Sequence, residues 1–213
     1  MCGRYFWNDD AEDAFIDDFP DLAGEVTRLR AGDYTPGMSA PALAAGSSDA
    51  AGIAGNGEAA SVSGTGSGIC MEPLLWGFPG FDKGKLLINA RAESVKDRPT
   101  FADSFAGRRC ALPAAGFYEW DKKKEKVIFT LPDRPILYLA GIFRPYGEEK
   151  RFVVLTREAN ASMEPVHDRM PLILSGEEVL PWVSDIAAAD AILIKELPML
   201  KAERPYEQIS FEF

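Results

Sequence analysis

Apolar and polar positions along the chain fall into two kinds of pattern, one helical and confined to the ends, the other of strand length and filling the middle. Near the start, Ala11, Phe15, Ile16 and Phe19 recur at the spacing that puts them on one helical face, behind Asn8 as a cap and Asp9, Asp10 and Glu12 as an acidic first turn. This predicts a short amphipathic helix ending at Pro20. Further on, β-branched, aromatic and aliphatic residues gather into runs of strand length: Leu74–Phe78, Leu86–Ala90, Cys110–Pro113, Phe117–Trp120, Val127–Leu131, Ile136–Phe143 and Phe152–Thr156. Gly, Pro, Asp or Lys separates them, which predicts a mostly antiparallel β core. Ser175-Gly176-Glu177-Glu178 has the order of a capping box opening a helix, and Ile186–Leu197 is patterned as a second one. The class is α+β, with no internal repeat.

One stretch has neither pattern. From Pro41 to Gly68 the chain is Ala, Gly and Ser with almost no large apolar side chain, too little burial to repay the ordering of a long regular element. It predicts a mobile surface loop at about 41–68, set inside a single domain spanning 1–213, because the segments on either side read as parts of one core.

Composition narrows the function classes. The 213 residues are 46% hydrophobic and 26% charged, ordinary for a chain that buries a sizeable core. No apolar run reaches the roughly 18 to 20 residues of a membrane helix, and Met1-Cys2-Gly3-Arg4-Tyr5 lacks the layout of a signal peptide, so the expectation is a cytoplasmic monomer with no membrane partner. Three cysteines, Cys2, Cys70 and Cys110, form no CxxC pair, and His167 is the single histidine; neither a disulfide framework nor a metal site is expected. The net charge of −10 disfavours nucleic-acid binding by bulk electrostatics. Its distribution is uneven: residues 1–60 hold 3 basic and 11 acidic side chains, 61–130 hold 11 and 8, and 131–213 hold 9 and 14. Only the middle third is basic, and part of that is Lys122-Lys123-Lys124, which reads as a solvated hairpin tip.

The position of Cys2 carries the most chemistry. A small second residue usually permits removal of Met1, leaving a free α-amine beside a thiol. The amine, with an ordinary pKa of about 7.7 to 8.0, is substantially neutral near neutral pH. With an aldehyde it can form a Schiff base onto which the thiol closes as a five-membered thiazolidine; with an amide or ester the thiol can act alone. The alternative is that Cys2 is a small buried apolar residue.

The segments MCGRY, LLWGFPGF, INARAES (88–94), RRCALPAAGFYEW (108–120), LTREAN (155–160) and VHDRMPLIL (166–174), taken together and in this order, resemble the SOS-response-associated peptidase family. The resemblance implies one α+β domain with a curled, open-barrel-like β core and peripheral helices. It also implies recognition of abasic sites in single-stranded DNA, covalent crosslinking to them through the N-terminal cysteine without a cofactor, and a peptidase activity associated with the protein's own N-terminus, with lyase chemistry on the same aldehyde. Carried onto these positions, Cys2 is the nucleophile, Asn89 an orienting polar group, and Glu119 and His167 the proton-transfer pair. Arg4, Arg91, Arg98, Arg108, Arg109 and Arg169 are the candidate phosphate contacts, Trp76 the base-stacking wedge, and Thr156 and Asn160 the supports behind His167. Phe117 reads as core. Each polar residue also has a structural reading: a strand-end carboxylate paired with Arg for Glu119, a satisfied core imidazole for His167, a turn cap for Asn89. Two other functions stay open, an N-terminal-nucleophile cysteine amidohydrolase and a non-catalytic single-strand-binding module.

Overall fold

The computed structural model describes residues 2–46, 68–80, 82 and 84–204. Strand β1 (Tyr5–Trp7) leads through a 3-10 turn (Asp9–Ala11) into helix α1 (Glu12–Asp18), and a second 3-10 segment (Pro20–Arg28) precedes β2 (Gly32–Tyr34). Phe15, Leu22 and Val26 are buried along these two helical pieces. Asn8 does not cap through its side chain; its Nδ2 donates to Asp10 Oδ2 at 3.3 Å, and the helix begins as a tighter 3-10 turn instead.

Strands β3 (Ser39–Ala45) and β4 (Ile69–Trp76) then form an antiparallel pair running from Ser39 opposite Leu75 to Ala45 opposite Ile69. This corrects the expected loop at its N-terminal end: residues 41–45 are a strand. Their side chains are small because β3 is an inner strand, between β4 and β8 (Arg109–Ala114), with Ala40, Ala42, Leu43 and Ala44 all buried. Residues 47–67 of the expected loop lie outside the described residues.

Gly77, at φ +111°, breaks the chain between β4 and β5 (Phe78–Pro79). Short strands β6 (Leu86–Leu87) and β7 (Asn89–Arg91) follow, then a 3-10 turn (Ala92–Ser94) and helix α2 (Ala102–Gly107). After β8 come β9 (Gly116–Trp120), β10 (Lys126–Thr130), β11 (Leu137–Tyr146), β12 (Glu149–Glu158), β13 (Arg169–Pro171) and β14 (Ile173–Leu174). The Lys122–Lys124 run is the tip of the β9–β10 hairpin, as expected. Helices α3 (Gly176–Ser184) and α4 (Ile186–Ile194) and strand β15 (Lys201–Glu203) complete the described chain. Glu178 accepts the Ser175 backbone N–H at 2.8 Å, the reach-back half of the box read from sequence.

The larger sheet closes. Going round, β12 pairs with β4, β4 with β3, β3 with β8, β8 with β11, and β11 with β12 again, giving a five-strand barrel. Every pairing is antiparallel except β12 with β4 and β12 with β7. Strand β8 is buried at all six positions, without the alternation of a half-exposed strand, because α3 covers it: the Trp182 indole N–H donates to the Cys110 carbonyl at 2.9 Å. A second sheet, in the order β15-β10-β9-β1-β2, lays the chain start beside β9. There Gly116 is required by close approach, since a Cβ would meet the Phe129 carbonyl oxygen at 2.6 Å and the Phe6 ring at 2.8 Å. Among the described residues no helix is long and apolar enough to cross a membrane.

Candidate active site

Register brings four distant positions together. Antiparallel pairing of β1 with β9 sets Tyr5 opposite Phe117, and the Arg4 carbonyl accepts the Tyr118 N–H at 2.9 Å, so the residues before Tyr5 run beside the segment carrying Glu119. Parallel pairing of β7 with β12 sets Asn89 opposite Val154, and Asn89 Nδ2 donates to the Cys2 carbonyl at 3.0 Å. Cys2 is fully buried, its Sγ directed to the Arg4 carbonyl at 3.9 Å. Burial, reinforced by the nearby Glu119 carboxylate, pushes the Cys2 thiol up to about 12, so it is held as the thiol at neutral pH.

Glu119 is buried on β9, with Oε1 at 3.9 Å from His167 Nε2. His167 Nδ1 accepts the backbone N–H of Arg169 at 2.9 Å, which places the proton of a neutral imidazole on Nε2, the nitrogen turned toward Glu119. Asp168 Oδ1 also lies 2.9 Å from Nδ1. Nδ1 cannot both accept from Arg169 and donate to Asp168, and the backbone bond decides, because the Asp168 side chain is 88% exposed and free to swing away.

The supports behind the imidazole are more extensive than sequence indicated. Asn160 Nδ2 donates to the carbonyls of Leu197 and Pro198, while its Oδ1 accepts from Ser162; the turn so anchored runs through Met163 to the His167 N–H. Thr156 is buried, and its carbonyl accepts from Arg169 Nη2. Arg169 also forms a two-pronged pair with Glu93, at 2.7 and 2.8 Å. Glu93 lies inside INARAES but is not among the site residues that the family resemblance implies. Its spacing from Asn89, in a strand leading straight into a 3-10 turn, was the available signal.

The candidate DNA contacts divide. Arg91 and Arg98 are exposed and, with Asn89, Ser94, Thr100 and Phe101, line a cleft of about 650 Å3; among the described residues no carboxylate engages either guanidinium. Arg4 lies between Asp33, at 3.4 Å, and the ring of Trp120, whose centroid is 5.6 Å from its Cζ. Trp120, overlooked in the sequence, is 38% exposed. Three expectations need correction. Arg109 is buried and spends its donors on the carbonyls of Trp182, Phe105, Ala106 and Val183, so it faces the interior. Arg169 is turned into its pair with Glu93 and Thr156. Trp76 is fully buried, stacked on Phe152 at 5.7 Å with its indole N–H on the Ile88 carbonyl at 3.0 Å, and shows no face to a base; it braces the strand that delivers Asn89. Arg108 is half-buried at the junction of α2 and β8. Phe117 is core, stacked on Phe129 at 5.3 Å.

A closed five-strand barrel, with Cys2, Asn89, Glu119 and His167 clustered outside its strands near a cleft lined by Arg91 and Arg98, defines an α+β protein with one candidate site. The chain belongs to the SOS response associated peptidase (SRAP) family, whose profile matches residues 1–210. Among curated relatives, the abasic site processing protein YoaM of Bacillus subtilis is 31% identical over 125 residues, covering 52% of this chain and 55% of that protein. YedK of Escherichia coli, also called an abasic site processing protein, is 30% identical over 139 residues, covering 57% and 63%. The matched segments thus span roughly half to two thirds of these relatives. Of solved structures, a phage-related protein from Bordetella bronchiseptica superposes with a TM-score of 0.69 at 24% identity, over 95% of this chain and 93% of that one, a likeness of fold.

Proposed function

We propose that this chain recognises abasic sites in single-stranded DNA and captures them covalently through Cys2. The observation that carries the reading is the convergence of Cys2, Asn89, Glu119 and His167, from four separate segments of the chain, beside a cleft holding Arg91 and Arg98. The names of the relatives, abasic site processing proteins, point to the same substrate.

Once Met1 is removed, the Cys2 α-amine adds to the aldehyde of the ring-opened sugar. The carbinolamine so formed loses water to give an imine: the Glu119 carboxylate takes a proton as the amine adds and returns it to the hydroxyl group, which leaves as water. The thiol then adds across the C=N bond, its proton passing to the nitrogen, so aldehyde and aminothiol become thiazolidine and one water. A thiol held protonated makes the amine the first nucleophile and the sulfur the second. Asn89, donating to the Cys2 carbonyl, holds the backbone from which both nucleophiles spring. His167, with its proton on Nε2, serves the sugar ring oxygen during opening. An imine not trapped by sulfur is an electron sink for β-elimination of the 3′-phosphate, which accounts for lyase chemistry. The family's peptidase name fits thiol attack on the Met1 carbonyl: the amide bond to Cys2 breaks as a thioester forms, and water then releases Met1.

The test is incubation with an abasic single-stranded oligonucleotide and a denaturing gel. Expected is a heat-stable adduct in the wild type, and in Cys2→Ala an adduct only when borohydride reduces the imine. Binding, measured separately, is expected to weaken with salt at roughly −0.7 per phosphate contact, with Arg91→Ala flattening that slope by about one contact. The same stable adduct from Cys2→Ala without reductant refutes the assignment.

A further inference from the structure

We propose that Glu93 is a positioning residue that fixes the tautomer of His167. The proposal rests on the reading that His167 acts on the sugar, and it asks what holds the imidazole ready to do so. Glu93 lies in the 3-10 turn directly after β7, the strand that carries Asn89 and Arg91. Its two carboxylate oxygens take the two terminal nitrogens of Arg169, at 2.7 and 2.8 Å, and Oε1 also accepts the Glu158 backbone N–H at 3.3 Å. Arg169 Nη2 reaches on to the Thr156 carbonyl and to its hydroxyl at 3.4 Å, so the guanidinium is clamped between β12 and the turn after β7. The arginine holds the Glu93 carboxyl below the ordinary carboxylate range, keeping the clamp charged at neutral pH.

What the clamp holds is the first residue of β13. Arg169 pairs with Glu158 in the β12–β13 ladder, and its own backbone N–H is the donor to His167 Nδ1. A displacement of Arg169 removes that donor. Without it a neutral imidazole can carry its proton on either nitrogen, and only one of the two forms points an N–H toward Glu119 and the substrate. Asp168, close to Nδ1 and largely exposed, favours the other form once the backbone donor is gone, since its carboxylate accepts from an Nδ1–H. Glu93 therefore links the strand bearing Asn89 to the ring of His167 without touching substrate. The arrangement also explains why a motif arginine points inward: its guanidinium is spent on geometry.

The chain has one histidine, so untagged protein with isotope-labelled histidine gives one pair of imidazole nitrogen signals. Expected for the wild type, at a pH where the ring is neutral, is a protonated Nε2 and an unprotonated Nδ1. Glu93→Gln and Glu93→Ala are expected to give averaged signals from two tautomers. Single-turnover adduct formation should slow by about 10- to 100-fold with the DNA dissociation constant unchanged, the scale of a mispositioned catalytic group. In a His167→Ala background the same Glu93 changes should slow nothing further. Unchanged nitrogen signals in both Glu93 variants overturn the proposal, as does the full additional loss in the His167→Ala background or a loss confined to DNA affinity. If the protein forms no adduct with abasic DNA, the proposed function fails, while the nitrogen signals still decide the tautomer. Glu93→Gln keeps the shape of the side chain, so a folded variant is available even where Glu93→Ala is destabilised.

Discussion

Replacing Arg109 with Met separates a structural arginine from a DNA-contacting one. Arg109 Nε donates to Trp182 O at 2.5 Å, Nη1 to Phe105 O at 2.7 Å and Ala106 O at 2.9 Å, and Nη2 to Val183 O at 3.3 Å. These carbonyls sit in the last turns of α2 and α3, where helices leave carbonyls without intrahelical donors and carry partial negative charge. One buried cation thus closes the C-terminal ends of two helices across the start of β8. A hydrogen bond to a charged group contributes about 1.5 to 3 kcal/mol, and four on one guanidinium are not additive. Methionine preserves most of the volume but leaves four carbonyls facing a thioether. A loss of about 3 to 5 kcal/mol is therefore expected, a large share of the roughly 5 to 15 kcal/mol of a typical domain. At about 2 to 4 °C per kcal/mol for a chain of this length, Tm should fall by about 6 to 20 °C. Urea unfolding and thermal melts measure this, and the salt dependence of DNA binding by the folded protein should match wild type. A loss under about 1 kcal/mol together with a salt slope one contact shallower would refute the interior assignment.

Two further outcomes follow from burial. Trp76→Ala is expected to cost about 3 to 5 kcal/mol in chemical unfolding, because it empties the space between Phe152 and Tyr5; a variant of wild-type stability that has lost only DNA affinity would restore the wedge reading. For Cys2, a thiol pushed up from 9.0 to about 12 means about a thousandfold less thiolate near neutral pH than an ordinary cysteine, so alkylation should keep accelerating as pH rises past 9. The same shift makes its contribution to stability fully present below about pH 9 and lost as pH climbs toward 12. Cys2→Ala should flatten that alkaline loss, and an alkylation rate that levels off near pH 9 would contradict the buried thiol.

The β core was legible because strand patterning survives wherever large apolar residues alternate with turn residues, as in Phe117–Trp120 and Phe152–Thr156. It failed where burial is achieved with small side chains. β3 is inner and covered by α3, so Ala40, Ala42 and Ala44 are what fits, and a composition poor in large residues looked like a loop. The three-residue strands β1 and β2 have no periodicity to read, since they are ordered by pairing with each other and with β9. Barrel closure was equally invisible: it depends on one strand, β12, pairing on both edges, and no local pattern encodes that.

For the site, residue types were informative and orientation was not. Cys2, Asn89, Glu119 and His167 stand out by chemistry and resemblance, and the β1–β9, β7–β12 and β12–β13 registers bring them together. Four of the six candidate arginines show how one chemical signature leads to three destinations. Arg109 begins a strand covered on both faces, which turns its side chain to helix ends. Arg169 begins β13 opposite Glu158, within reach of Glu93. Arg91 and Arg98 flank the turn after β7 and stay in solvent. Net charge is equally silent on placement: among the described residues Arg4, Arg28 and Arg151 are paired with carboxylates while Arg91 and Arg98 are not, and a −10 total does not distinguish them, whereas a phosphate would respond to the local field. Two unengaged guanidinium groups beside Asn89 outweigh distant carboxylates once these lie beyond a screening length of about 8 to 10 Å. An acidic chain can therefore present a cationic cleft.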